Sequence, residues 1–133
     1  MPLLYCKNSS SKQVSDLART IRFYTELGFK SNGTSEELTS FKFGDDDFII
    51  HFFLKDILEK NIKGKIIGSH TSSEIIFTIS AHGKAQVDDW AKEVEKAGGT
   101  LVSQPEEFGK HYYGFIFADP DGHRFNVFYM EGF

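Results

Sequence analysis

Two stretches of the chain place apolar residues at helical spacing, and most of the remainder alternates. The first reads "SDLARTIRFYTELG" from Ser15 to Gly28. Leu17, Ile21, Tyr24 and Leu27 recur three or four residues apart, which lines one face of a helix. Ser15 or Asp16 can cap it, because a short polar side chain accepts from the free amides of the first turn. Gly28 ends it. A second helix is predicted from Lys84 to Ala97, with Val87, Trp90, Ala91 and Val94 as its buried stripe. Asp88 and Lys92 would pair on its wet side, and Gly98-Gly99 would stop it. Strand-like segments follow each helix. "GFKSNG", "LTSFKFG" and "FIIHFFL" come after the first; "GTLVSQP", "HYYGFIFA" and "HRFNVFYM" come after the second. "LLYCKNSSSK" precedes the first helix and "EIIFTIS" the second. Each half therefore reads β-α-β-β-β, with "KDILEKNIKGKIIGSHTS" as a connector between them.

A repeated unit of this length suggests two modules of one α+β domain sharing a sheet layer and core. Module one covers about 1–60, the connector about 55–72 and module two about 73–133, within a single domain of residues 1–133. A ferredoxin-like domain is the simpler alternative, but it needs only about four strands, fewer than the segments found here.

Composition narrows the function classes. The chain has 133 residues, 40% of them hydrophobic and 15% aromatic, with 14 Phe, which suits a packed globular core. Its formal charge is −4, the charges are scattered, and no basic stripe marks a nucleic-acid partner. A single cysteine excludes an intrachain disulfide and fits a reducing cytoplasm. No apolar run approaches the roughly 18 residues of a membrane span, and the start "MPLLYCKNSSSKQ" does not read as a signal peptide. No G-x-G-x-x-G, P-loop or C-x-x-C occurs.

One residue stands out against this background. In "DPDGHRFNVFYM" the strand puts Phe125, Val127 and Tyr129 on one face and Arg124, Asn126 and Phe128 on the other. An amide at mid-strand needs partners or a ligand. Together "VSDLARTIRFYTELGF", "AGGTLVSQP" and "FADPDGHRFNVFYM" resemble the glyoxalase/bleomycin-resistance/dioxygenase superfamily, the vicinal oxygen chelate proteins. The resemblance runs from about Val14 to Met130. It implies two βαβββ modules forming a curled mixed sheet around an open cleft, usually in a homodimer. It further implies, in the enzymes, a divalent ion in that cleft. Four ligands, typically His, Gln or Glu, come from the first and last strand of each module.

Carried over, those positions fall on or near Ser9, and on His51, Glu74 and Asn126. His51 lies in "FIIHFFL", where Ile49, His51 and Phe53 share a face opposite Phe48, Ile50, Phe52 and Leu54. Its plain alternative is a core histidine bonded to backbone. Glu74 opens "EIIFTIS", where Ile75, Phe77 and Ile79 would face the helices, and Glu74, Ile76 and Thr78 the other way. A solvated carboxylate at a strand start is its plain alternative. Only His51 and Glu74 of the four are strong ligands, so no complete metal site is expected. If Zn, Ni, Mn or Fe does bind, His51 and Glu74 would hold it.

The resulting expectation is a metal-free protein binding a small aromatic or planar molecule. Its cleft would be lined by His51, Phe53, Glu74, Thr78, Tyr112, Tyr113, Arg124, Asn126 and Phe128. The alternative is a divalent-metal-dependent lyase, isomerase or dioxygenase of the same superfamily. His123 reads as a turn residue. His70 and His82 have no partner at ligand spacing, and Cys6 reads as a small buried residue.

Overall fold

The computed structural model describes residues 9–44, 48–66 and 75–131. The chain divides into two compact units, Met1–Ile66 and Ile67–Phe133. Each has its own mixed sheet and at least one helix, so the fold class is α+β.

In the first unit β1 (Ser9–Val14) leads to α1 (Leu17–Glu26), then β2 (Lys30–Thr34), β3 (Leu38–Phe43), β4 (Phe48–Leu54) and α2 (Lys55–Ile62). The sheet order is β1-β4-β3-β2, with β1 parallel to β4 and the other pairs antiparallel. Asp16 caps α1, its carboxylate accepting from the Arg19 amide at 3.1 Å. Gly28 follows the helix at φ 93°, a left-handed conformation that costs glycine little. The buried face of α1 runs through Thr20, Phe23 and Tyr24, whereas Leu17, Ile21 and Leu27 are only half-buried. The stripe is rotated from the predicted one because aromatic bulk at Phe23 and Tyr24 gains more from burial than the aliphatic positions do. Tyr24 is fully buried, with the rings of Phe23, Phe41, Phe43, Phe52 and Phe29 at 4.7–6.0 Å. β4 alternates as predicted, with Ile50 and Phe52 buried towards this cluster.

The expected connector contains α2. Leu58 is buried, and Ile62 follows it by one turn. Helix α2 ends on Lys63 at φ 56°, and Glu59 Oε2 takes the Ile66 amide at 2.9 Å. Two turns are too short for apolar periodicity to separate from a loop.

The second unit runs β5 (Phe77–Ser80), α3 (Lys84–Ala97), β6 (Thr100–Leu101), β7 (Glu106–Phe108), β8 (Tyr112–Ala118) and β9 (Arg124–Met130). Its sheet order is β5-β9-β8-β6, with β7 also paired to β8; only β5–β9 is parallel. Helix α3 has the predicted bounds, and Val87, Ala91 and Val94 are buried, with Trp90 half-buried. Phe117 stacks on Phe125 at 5.2 Å and lies 6.3 Å from Trp90.

Two local expectations are corrected here, and one strand is added. "GTLVSQP" keeps only Thr100–Leu101 as strand, because the Val102 and Ser103 amides both turn to one carbonyl, that of Ile116. β5 starts at Phe77, and Ile75 and Ile76 before it are exposed. β7 is a strand of three exposed residues that carries no apolar alternation to read.

Candidate functional site

β4 and β9 are the inner strands that carry the candidate residues, each between a parallel and an antiparallel neighbour. That position gives a mid-strand side chain two cross-strand neighbours on its own face. For His51 those neighbours are Ser11 on β1 and Ser40 on β3. The expected Ser9 is registered two residues earlier, beside Ile49, so the residue next to His51 is Ser11. Ser40 Oγ lies 2.6 Å from His51 Nδ1, and Ser40 is only 3% exposed. Among the described residues this is the one side-chain hydrogen bond of His51. The half-buried imidazole is therefore oriented by a hydroxyl, and among the described residues it has no backbone partner. The Phe53 ring centroid is 6.2 Å from the imidazole. None of the four strands of this sheet contains Asp or Glu, and Lys30 and Lys42 are cross-strand partners on the His51 face.

In the second unit Asn126 is registered with Thr78 on β5 and Ile116 on β8. Phe128 follows on the same face beside Ser80 and Gly114, and the Tyr112 ring lies 5.7 Å from it. Tyr112 is 43% exposed and Arg124 is exposed. Thr78, Tyr112, Arg124, Asn126 and Phe128 thus share one face.

Tyr113 does not join them. It neighbours Tyr112 in sequence, so strand alternation turns it to the opposite face. There its Oη donates to Asp88 Oδ1 on α3 at 2.6 Å, and Lys84 Nζ sits 5.6 Å from its ring centre. The Asp88 hydrogen bond, then desolvation, raises the Tyr113 phenol above its usual value. Asp88 was expected to pair with Lys92; Tyr113 takes it instead. Lys84 bonds Glu107 at 2.8 Å, which raises the Lys84 ammonium and lowers the Glu107 carboxyl.

His123 belongs to its turn, as expected. Asp119 Oδ1 accepts from the Asp121 and His123 amides at 3.0 and 2.8 Å, and Gly122 takes φ 88°. Glu74, His70 and Cys6 lie outside the described residues.

A divalent ion of the kind the resemblance implies needs about three His, Cys or carboxylate donors. The His51 face carries one imidazole, the Gln13 amide and the hydroxyls of Ser9, Ser11 and Ser40, the last already engaged. The Asn126 face carries a neutral amide and the hydroxyls of Thr78, Ser80 and Tyr112. Among the described residues no three His, Cys, Asp or Glu side chains are grouped to hold an ion. Among the described residues, neither face supplies the three strong donors a transition metal needs.

The fold and these two faces define a class. The family model of the Glyoxalase/Bleomycin resistance protein/Dioxygenase superfamily matches residues 11–127, and the chain belongs to that family. Among solved structures it is similar to a hypothetical protein from S. aureus, with TM-score 0.84 and 23% identity over 96% of this chain and 95% of that one. It is also similar to a glyoxalase-related enzyme from Fulvimarina pelagi, with TM-score 0.82 and 19% identity over 94% and 88%. A third is lactoylglutathione lyase from Agrobacterium tumefaciens, with TM-score 0.71 and 18% identity over 94% and 93%. At such identities the likeness carries the fold and no activity. No curated protein matches the sequence. No helix among the described residues is long and apolar enough to cross a membrane.

Proposed function

We propose that this chain binds a small aromatic or planar molecule through the open faces of its sheets, without a complete metal site. The observation that carries this reading is the Ser40–His51 pair beside Phe53. An oriented polar group next to an aromatic wall is how small-molecule sites combine specificity with buried area. Phe128 and Tyr112 beside Asn126 repeat that combination in the second unit.

The test is metal analysis combined with ligand titration. Protein purified without added metal should hold far less than one equivalent of Zn, Ni, Mn or Fe. Adding metal should not raise its melting temperature, whereas a tight native-state ligand must raise it by mass action. Aromatic probes should perturb the NMR signals of His51 and Phe53, and His51→Ala should weaken that binding. Stoichiometric metal lost on His51→Ala would sink this reading in favour of a metal-dependent lyase, isomerase or dioxygenase.

The same proposal includes a two-fold homodimer, since a C₂ pairing covers one apolar patch on both copies. Light scattering showing a monomer at micromolar concentration would contradict it. It also includes a cytoplasmic location, for which the single cysteine speaks; cell fractionation checks it.

A further inference from the structure

The Ser40 hydroxyl is buried, and among the described residues its one hydrogen-bond partner is His51 Nδ1. That arrangement restricts where the imidazole proton can sit. If Nδ1 carried the proton it would donate into Ser40 Oγ. The Ser40 proton would then have no acceptor among the described residues, and a buried donor without a partner is costly. With Nδ1 as acceptor, the Ser40 O–H is satisfied, and Oγ gives up only a lone-pair contact. A neutral imidazole has one N–H, so the proton then sits on Nε2.

We infer that Ser40 is a positioning residue that fixes His51 as the Nε2–H tautomer, and that His51 thereby selects ligands bearing an acceptor oxygen, namely aromatic or planar carboxylates. This rests on the proposed binding function for the ligand, but not for the tautomer. Three observations agree on the ligand class. Nε2–H donates and so calls for an acceptor. Lys30 and Lys42 lie on the His51 face, and the four strands of that sheet contain no carboxylate. Phe53 supplies a flat apolar neighbour 6.2 Å from the imidazole. The same tautomer disfavours a cation at Nε2, because binding one would require reversing the Ser40 bond and stranding its proton.

The full chain, labelled with ¹⁵N in its imidazoles, is examined by long-range ¹H–¹⁵N NMR with benzoate as the probe and benzylammonium as the opposite charge. The parent should show His51 with protonated Nε2 and unprotonated Nδ1. Ser40→Ala should lose the single-tautomer signature, and Ser40→Thr, which keeps the hydroxyl, should retain it. Benzoate should shift the His51 Nε2–H signal, benzylammonium should not, and Ser40→Ala should weaken benzoate by about two- to threefold, because only a fraction of the imidazole then holds the competent tautomer and orientation. A protonated Nδ1 in the parent, or an unchanged signature in Ser40→Ala, overturns the tautomer even if benzoate binds. An Nε2–H tautomer that neither benzoate nor any other aromatic probe perturbs overturns the ligand class together with the binding function.

Discussion

The two units solve one packing problem in opposite ways. In the first, α1 supplies the bulk: Phe23 and Tyr24 reach from the helix, and Tyr24 stacks on Phe52 at 4.7 Å. In the second, α3 turns small residues inward, Val87, Ala91 and Val94, and the sheet supplies the rings of Phe115, Phe117 and Phe125. The topology is shared and the volume is distributed differently, which is what close packing permits when total volume is kept. The outward faces differ as well. His51 lies between two serines, while Asn126 lies between Thr78 and Ile116. Beside Phe53 stands Leu38; beside Phe128 stands Gly114. One plan therefore leaves two different chemical surfaces.

The largest way to break this comparison is Tyr24→Ala. Tyr24 is fully buried among five rings. The expected loss is about 4 kcal/mol, typical of an aromatic truncation in a core. Urea unfolding checks it, and a loss below about 2 kcal/mol would mean the cluster collapses to fill the void.

Gly114→Ala should act next, in the second unit. A Cβ there would run into the Val127 carbonyl and press on the Phe128 Cα at 3.0 Å. These are backbone atoms, so β8 and β9 must move apart. About 2 kcal/mol is expected, the cost of overpacking. Thermal melting measures it, and an unchanged melting temperature would show that the pair of strands yields freely.

Tyr113→Phe should be the smallest effect. It removes a hydrogen bond to a carboxylate at a half-exposed position, worth about 0.5–1 kcal/mol. The sign of its pH dependence follows from the raised phenol. A raised folded-state value gives stability that is full below the unfolded phenol range, about pH 10, and lost as pH rises through the folded value. Parent and variant melting curves should therefore differ at neutral pH and converge above about pH 10. A constant difference across that window would assign the effect to packing instead of the bond.

Much of the fold was legible in sequence because its signals are local. α3 was bounded by a Val/Ala stripe and two glycines, and β4 and β9 by strict alternation. Those same alternations placed His51, Phe53, Asn126 and Phe128 correctly on their faces. α2 and β7 were not legible, since two turns and three exposed residues carry too little periodicity. Tyr113 lies on the face opposite Tyr112, and only the fold shows its bond to Asp88 on α3.

The amino-acid sequence by itself determined the α+β repeat, the cap of the first helix and the residue on each strand face. All of these depend on residue types and on spacings of a few positions. Tertiary structure alone decided the pairing register. Register put Ser11 instead of Ser9 beside His51 and Thr78 beside Asn126, and it brought Ser40 to His51 Nδ1. A strand's own periodicity fixes which way a side chain points, but which neighbour it meets is set by a partner strand many residues away, and a slip of two preserves every face while exchanging every contact.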